Sequence, residues 1–154
     1  MMMEQAEFTA VELPRFGQIE YAETDVMVFP WSLPGFTEHT RWLILSLDSQ
    51  PSYVWLQSLD DPKIAIPAAD PWMVFEGYDP KLPAYACSGL EIVDAEDFTL
   101  LCVVVVTPGA EEMTMNLMAP IVVNLKTRRA RQVVLDGSNY SVKEPIPRKA
   151  VDPA

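Results

Sequence analysis

Short apolar stretches separated by turn residues make up most of this chain, and they predict β-strands rather than helices. Proline is frequent, with 14 in 154 residues, and it is excluded from helix interiors and central strands. Many short elements with sharply defined ends are therefore expected. The stretches predicted as strands are 11–16, 18–21, 26–29, 41–47, 53–58, 64–68, 98–107, 113–117, 121–124 and 130–135.

The strongest predicted strand is Phe98–Thr107, because its continuous β-branched run indicates burial on both faces and a central position. A short helix is expected somewhere in 83–97. About ten short strands joined by tight turns predict an all-β fold, a small antiparallel β-barrel-like domain with few short helices. The length fits a single domain over 1–154, with short flexible ends near 1–9 and 147–154.

Charge is unevenly distributed along the chain, which carries a net charge of −11. Residues 1–125 contain 19 acidic and 4 basic residues, whereas 126–154 contain 7 basic and 3 acidic ones. A surface this acidic is a poor match for nucleic acid and a good match for a basic partner, although solubility alone would also explain it. We interpret the basic run Lys126–Arg131 mainly as a solvated turn or a set of salt-bridge partners, with RNA binding as the alternative.

The chain shows no pattern that predicts export or membrane insertion. The N-terminus is acidic and lacks a signal-peptide pattern, and the longest apolar run, Leu100–Val106, is far shorter than the roughly 20 residues of a membrane helix. A cytoplasmic location without a membrane partner is therefore predicted. Cys87 and Cys102 are too few for a disulfide framework or a zinc site, so neither a metal nor another cofactor is expected.

Catalytic motifs are not evident in the sequence. The single histidine, His39, follows Glu38 in a polar turn and is interpreted as a surface residue. Asp60 and Asp61 are adjacent, and neighbouring side chains of an extended chain point in opposite directions. We interpret them as turn residues that accept backbone N–H groups, not as an acid–base pair. An enzyme is therefore not predicted, and a hydrolase that uses Asp60 or Asp61 is the alternative.

The predicted strand 53–58 has an unusual polar end. Its apolar and aromatic positions give way after Leu56 to Gln57 and Ser58, just before a turn. These two side chains either satisfy backbone groups of that turn or offer hydrogen bonds to a partner surface.

The second unusual segment is 113–124, in which Asn116 and Asn124 bracket an apolar run that includes Leu117. Pro120 lacks a backbone donor, which predicts an edge strand or an interruption at that position. Asparagines at strand ends usually cap turns. An interrupted apolar edge is also a place where another chain can dock.

Taken in order along the chain, these segments resemble the FliW family of flagellar assembly factors. The resemblance spans roughly residues 10 to 146, nearly the whole chain. The matching motifs are Phe29-Pro-x-x-Leu-Pro-Gly-Phe36, Trp55-Leu-Gln-Ser-Leu-Asp-Asp-Pro62, Asp70-Pro71 with Tyr78, Thr114-x-Asn-Leu-x-Ala-Pro-Ile-Val-Val-Asn124, and Gln132-Val-Val-Leu135 before Tyr140-Ser141.

The resemblance implies a small β-barrel-like binding protein that is not an enzyme. Family members bind flagellin in the cytoplasm and also bind CsrA, the RNA-binding regulator that represses flagellin translation. When flagellin is exported, the freed protein sequesters CsrA and translation resumes. We expect a monomer when free, with no direct contact to nucleic acid.

The two unusual segments give the residues predicted to contact a partner. They are Leu56, Gln57, Ser58, Asn116, Leu117, Pro120 and Asn124. One alternative function is a β-barrel binder of a small molecule or peptide unrelated to flagella, in which Trp55 and Trp72 line an interior pocket.

Overall fold

The computed structural model describes residues 7–47, 50–109 and 112–147, and short antiparallel strands make up most of its regular secondary structure. The predicted all-β fold with few short helices is confirmed. The strands are β1 (Phe8–Leu13), β2 (Gly17–Ala22), β3 (Met27–Val28), β4 (Arg41–Leu47), β5 (Gln50–Ser58), β6 (Ala65–Ala69), β7 (Phe98–Thr107), β8 (Glu112–Met115), β9 (Ile121–Asn124), β10 (Ala130–Gln132) and β11 (Glu144–Pro145). The α-helices are α1 (Pro71–Val74) and α2 (Ala84–Gly89).

One large sheet dominates the molecule, with strand order β10-β9-β7-β6-β5-β4-β3 and with β8 placed between β7 and β11. Strands β1 and β2 form a separate two-stranded hairpin. The large sheet is not a closed barrel. Its two end strands meet only through an isolated parallel bridge between Val28 and Arg129, where the Val28 N–H donates to the Arg128 carbonyl at 2.8 Å. The barrel-like description is therefore a loose one.

Strand β7 occupies the central position that its sequence predicted. It pairs with β9 through its first four residues, with β6 at Cys102 and Val103, and with β8 from Val104 onward. Burial on both faces holds for its first half. Val105 and Val106 near its end are each about half exposed, at 51% and 54%. The apolar run therefore extends beyond the core, which its composition alone did not reveal.

The segment 113–124 is interrupted as predicted, but it is not an edge. Strand β8 ends at Met115, and β9 begins at Ile121, directly after Pro120. Each strand has neighbours on both sides, since β9 lies between β7 and β10 and β8 lies between β7 and β11. Of the two alternatives that Pro120 left open, the interruption is therefore confirmed and the edge strand is not observed, because the two-residue strand β11 pairs with β8.

The part of the chain between β6 and β7 folds into two short helices. Helix α1 begins where Asp70 Oδ1 accepts the Trp72 N–H at 2.9 Å, with Pro71 in the first helical turn. Helix α2 confirms the short helix expected within 83–97. Strand β1 begins at Phe8, inside the segment 1–9 that was expected to be flexible. The rest of that segment before residue 7, and residues 148–154, lie outside the described residues.

The core is divided between two large hydrophobic clusters. The first packs around β7 and contains Leu100, Cys102 and Leu117. The second lies under β4 and β5 and contains Trp42 and Leu56. A smaller third cluster fixes the β1–β2 hairpin against β4. Leu56 and Leu117, which were both predicted to contact a partner, belong to different clusters, although Ile121 and Val123 of the segment 113–124 pack in the same cluster as Leu56.

Tyr53 and Tyr78 are two buried tyrosines of the first cluster that differ in whether the hydroxyl has a hydrogen-bond partner. The Tyr78 hydroxyl donates to the Leu117 carbonyl at 2.7 Å, whereas the buried Tyr53 hydroxyl has no hydrogen-bond partner among the described residues. Tyr78→Phe should lower the free energy of unfolding by about 1–2 kcal/mol, because the carbonyl loses its donor. Tyr53→Phe should leave that free energy unchanged or raise it by about 1 kcal/mol. Chemical denaturation measures both, and equal losses would contradict this account.

Candidate partner-binding site

The polar end of β5 is buried and holds the turn that follows it. The Ser58 Oγ accepts the backbone N–H groups of Asp60 at 3.1 Å and Asp61 at 3.0 Å. The Gln57 Nε2 donates to the carbonyls of Ser58 at 2.9 Å, Pro62 at 3.0 Å and Ile64 at 3.1 Å. Both side chains are 0% exposed. Of the two roles predicted for them, the structure shows the satisfaction of turn backbone groups.

The adjacent carboxylates on this turn also bind backbone groups, as predicted. Asp60 Oδ2 accepts the N–H groups of Thr40 at 2.9 Å and Arg41 at 3.1 Å, and thereby joins the turn to the start of β4. Asp61 Oδ1 accepts the N–H of Lys63 at 3.1 Å within the turn itself. Both carboxylates therefore fix the backbone, which is the role expected of aspartate in turns.

His39 is half-buried and contacts Ser58, a pair that sequence reasoning missed. Its Nδ1 lies 2.9 Å from the Ser58 Oγ, and its ring packs against Phe36 and Trp42. The two lone pairs of this oxygen already accept N–H groups, so the hydroxyl donates to Nδ1 and the ring proton resides on Nε2. A hydroxyl buried and bonded in this way is not placed to attack a substrate. The pairing of β4 with β5 brings these residues together across 19 positions.

Cys102 is one of two free cysteines, and the half-buried Cys87 is the other. Cys102 lies in β7 and is 0% exposed. Burial raises the pKa of its thiol to about 12, from 9.0. The thiol is therefore protonated near neutral pH, and a protonated, buried thiol is inert. Cys102 behaves as a small hydrophobic residue of the core.

The two predicted asparagines cap turns at either end of the β8–β9 interruption. The Asn116 Oδ1 accepts the N–H groups of Met118 and Ala119, both at 3.1 Å. The Asn124 Oδ1 accepts the N–H groups of Lys126 at 2.8 Å and Thr127 at 3.1 Å. The Nδ2 of Asn124 also donates to the Leu90 carbonyl at 2.6 Å, which ties the end of α2 to the turn after β9.

Most of the predicted contact residues are therefore inside the molecule. Asn116 is half-buried, and the other six are buried. They divide between the β5–β6 turn and the segment from Asn116 to Asn124. Strands β6 and β7 separate β5 from β9 in the sheet. A role for these residues in partner contact stays a prediction, and their observed role is to hold the turns. The six buried residues are Leu56, Gln57, Ser58, Leu117, Pro120 and Asn124.

The basic run Lys126–Arg131 is engaged with other parts of the chain. Lys126 Nζ lies 3.2 Å from Asp97 Oδ1, and an Nη of Arg128 donates to the Asp25 carbonyl at 3.1 Å. These contacts favour the interpretation as a turn with salt-bridge partners over that of an RNA-binding patch.

Arg131 forms a surface stack that sequence reasoning missed. Its guanidinium lies 4.4 Å from the Trp31 ring and 4.8 Å from the Tyr85 ring, between a loop and helix α2. The three residues of this cation–π stack lie far apart in the sequence, so no local motif could have revealed it.

The two tryptophans proposed to line an interior pocket lie at the surface instead. Trp55 is covered by Arg15, whose guanidinium is 4.4 Å from its ring, and by the edge of Phe16. Trp72 is 37% exposed, and its Nε1 donates to the Tyr78 carbonyl at 3.0 Å. Neither arrangement supports a ligand between them in the core.

The described residues contain neither a metal-binding cluster nor a membrane-spanning helix. Within 7–47, 50–109 and 112–147, no group of three or more His, Cys, Asp or Glu side chains is arranged to hold a metal ion. No helix in the same ranges is long and apolar enough to cross a membrane.

The fold and the site define a small, mainly antiparallel β-protein whose strand-end turns are held from within by buried polar side chains. The family model described as FliW protein matches residues 10–146. A crystal structure of the flagellar assembly factor FliW has a TM-score of 0.83 to this chain at 29% identity, covering 90% of this chain and 98% of that one.

Known sequences point to the same family. The flagellar assembly factor FliW of Pseudothermotoga lettingae is 37% identical over 130 residues, which cover 84% of this chain and 83% of that protein. The flagellar assembly factor FliW of Bacillus licheniformis is also 37% identical, over 84% of this chain and 91% of its own length. The chain belongs to the FliW family of flagellar assembly factors.

The capping role of Asn124 predicts a large loss of stability when its side chain is removed. Asn124→Ala leaves two turn N–H groups and the Leu90 carbonyl without their partner, so the free energy of unfolding should fall by about 2–4 kcal/mol. Asn116→Ala is the matched control, because that side chain is only half-buried and accepts two N–H groups. Asn116→Ala should lower the free energy of unfolding by about 1 kcal/mol. Denaturant titration of both variants measures the difference, and equal losses would contradict the ranking.

Proposed function

We propose that this protein binds flagellin in the cytoplasm and, when free, binds and antagonises the translational regulator CsrA. Membership of the FliW family across residues 10–146 is the observation that carries this proposal. Export of flagellin frees the protein, and the freed protein relieves CsrA repression of flagellin translation. The coupling needs no conformational change, because both complexes draw on one limiting pool of free protein.

The charge distribution supports a basic partner. Residues 1–125 carry 19 acidic against 4 basic residues. Complementary charge raises the association rate of two proteins by roughly 10 to 1,000-fold at low salt. A strongly negative protein held beside an RNA-binding site also repels RNA, which would antagonise CsrA without occupation of that site.

The side chains with potential for nucleophilic chemistry support binding rather than catalysis. The Ser58 hydroxyl is buried and already hydrogen-bonded to two N–H groups and to His39. The Cys102 thiol is buried, and burial raises its pKa to about 12. Neither of these two groups is available to a substrate at neutral pH, and this supports a binding role.

The capped turns give the predicted contact residues a role that is compatible with their burial. Gln57 and Ser58 fix the turn of residues 59–64, and Asn116 fixes residues 117–119. A turn that is ordered before binding loses less conformational entropy on association. We propose that the buried residues support partner binding by fixing these turns, while exposed turn residues such as Asp60 make the contact.

Binding can be tested with purified proteins from one source. The protein mixed with flagellin, and separately with CsrA, should elute in size-exclusion chromatography as a complex with each, whereas alone it should elute as a monomer. Flagellin added to the CsrA complex should release CsrA. If neither protein changes the elution position, the proposed function fails while the fold assignment stands.

Salt dependence and one pair of variants sharpen this test. The association rate with CsrA should fall by at least about tenfold between low and high salt, since surface charges are screened. Asn116→Ala should weaken partner binding while the protein stays folded. Leu117→Ala is the control for a general loss of stability. It removes a core side chain and should lower the free energy of unfolding by about 2–5 kcal/mol. Wild-type affinity of a folded Asn116→Ala variant would remove Asn116 from the proposed site.

A further inference from the structure

The orientation of the Gln57 amide is fixed by its surroundings. Its nitrogen lies within 3.1 Å of three carbonyl oxygens, those of Ser58, Pro62 and Ile64. The opposite orientation would place the amide oxygen against the same three oxygens, which have no hydrogen to donate. The oxygen of this side chain therefore points away from the turn that the nitrogen holds.

The Gln57 Oε1 has no hydrogen-bond partner among the described residues, although the side chain is 0% exposed. A buried acceptor without a donor is unfavourable, and most such groups in proteins are paired. Gln57 also forms part of the wall of a surface cavity of about 400 Å³. The cavity is lined by Pro14, Arg15, Gln57, Pro62, Lys63 and Ala65.

Two cations converge on the same cavity. Arg15 comes from the turn between β1 and β2, where its guanidinium rests on the Trp55 ring, and Lys63 comes from the turn after β5. Neither forms an ion pair with a carboxylate among the described residues. The nearby Asp61 does not line the cavity, and its Oδ1 accepts the backbone N–H of Lys63.

This convergence is unusual for so acidic a chain. Residues 1–125 contain four basic side chains. Two of them, Arg41 and Lys81, form ion pairs with Glu23 and Asp79. The other two are the cations of this cavity, and they face no carboxylate on its wall.

We propose that this cavity binds a peptide segment in which a carboxylate lies next to a backbone N–H. The carboxylate is held between the Arg15 guanidinium and the Lys63 ammonium, and the N–H donates to Gln57 Oε1. The carboxylate belongs either to the C-terminal residue of a polypeptide or to an Asp or Glu side chain. The site goes beyond the proposed function, because it assigns a ligand chemistry to Gln57 and to the turn that Gln57 fixes, whichever protein supplies the peptide.

Nuclear magnetic resonance titration of the full chain tests the site through the side-chain amide of Gln57. The probes are an acetylated tri-alanine with a free carboxy-terminus, the acetylated and amidated peptide Ala-Asp-Ala, the amidated tri-alanine, and sodium acetate. At least one carboxylate peptide should shift the Gln57 amide and the Lys63 backbone resonances in a saturable way, and the one that does so identifies the source of the carboxylate. The amidated tri-alanine and acetate should bind at least about tenfold more weakly, because each lacks one of the two recognised groups.

Variants of the two cations complete the experiment. Arg15→Gln and Lys63→Gln should each lower the affinity for the peptide by about threefold to tenfold. Lys81 lies outside the cavity, so Lys81→Gln should leave that affinity unchanged. Melting of each variant confirms that it is folded. The proposal is overturned if no peptide gives saturable shifts, if acetate or the amidated tri-alanine binds as well as the carboxylate peptides, or if Lys81→Gln has the same effect. Flagellin and CsrA are absent from this titration, so its failure would leave the proposed function standing, and that function is tested separately by size-exclusion chromatography.

Discussion

The ends of short strands impose the constraint on which this structure depends. Every backbone N–H and C=O that is removed from water needs a hydrogen-bond partner, and a sheet of strands only two to ten residues long has many ends. Among the described residues, the buried polar side chains are Gln57, Ser58 and Asn124. Each lies at the end of a strand and bonds the turn that follows it, so buried polarity serves backbone satisfaction throughout this part of the chain.

These caps also connect parts of the molecule that are distant in sequence. Ser58 joins the β5–β6 turn to His39, which precedes β4, and Asn124 joins the β9–β10 turn to the end of α2. The turns are therefore ordered before any partner arrives. Gln57 holds its turn with the amide nitrogen alone, which leaves its oxygen without a partner among the described residues, and Gln57 is part of the wall of the cavity that Arg15 and Lys63 also line.

The strands were predictable from sequence because apolar periodicity and proline positions define them locally. The predicted bounds 41–47, 98–107 and 121–124 match β4, β7 and β9. The two-residue strand β11 was not predictable, since it carries no pattern, and without it the sequence left open whether 113–124 is an edge strand or an interrupted one. The family motifs identified the protein because they appear in order over most of the chain, which no single strand pattern could achieve.

The direction of the polar side chains was harder to predict than the strands. An Asn or Gln at a strand end has the same sequence pattern whether it caps a turn inside the molecule or contacts a partner outside it. Strand register decides between these cases, and register depends on long-range pairing. The contact of His39 with Ser58 and the approach of Arg15 to Lys63 depend on the same pairing, so neither was visible in the sequence.

Amide hydrogen exchange tests most directly whether buried side chains hold the turns. The N–H groups of Asp60 and Asp61 should exchange slowly in the wild-type protein, because the buried Ser58 hydroxyl accepts both. Ser58→Ala should lower their protection by at least about tenfold, while the N–H groups of Lys126 and Thr127, which Asn124 caps, keep theirs. Fast exchange of Asp60 and Asp61 in the wild-type protein, or an equal loss at all four positions, would contradict the account.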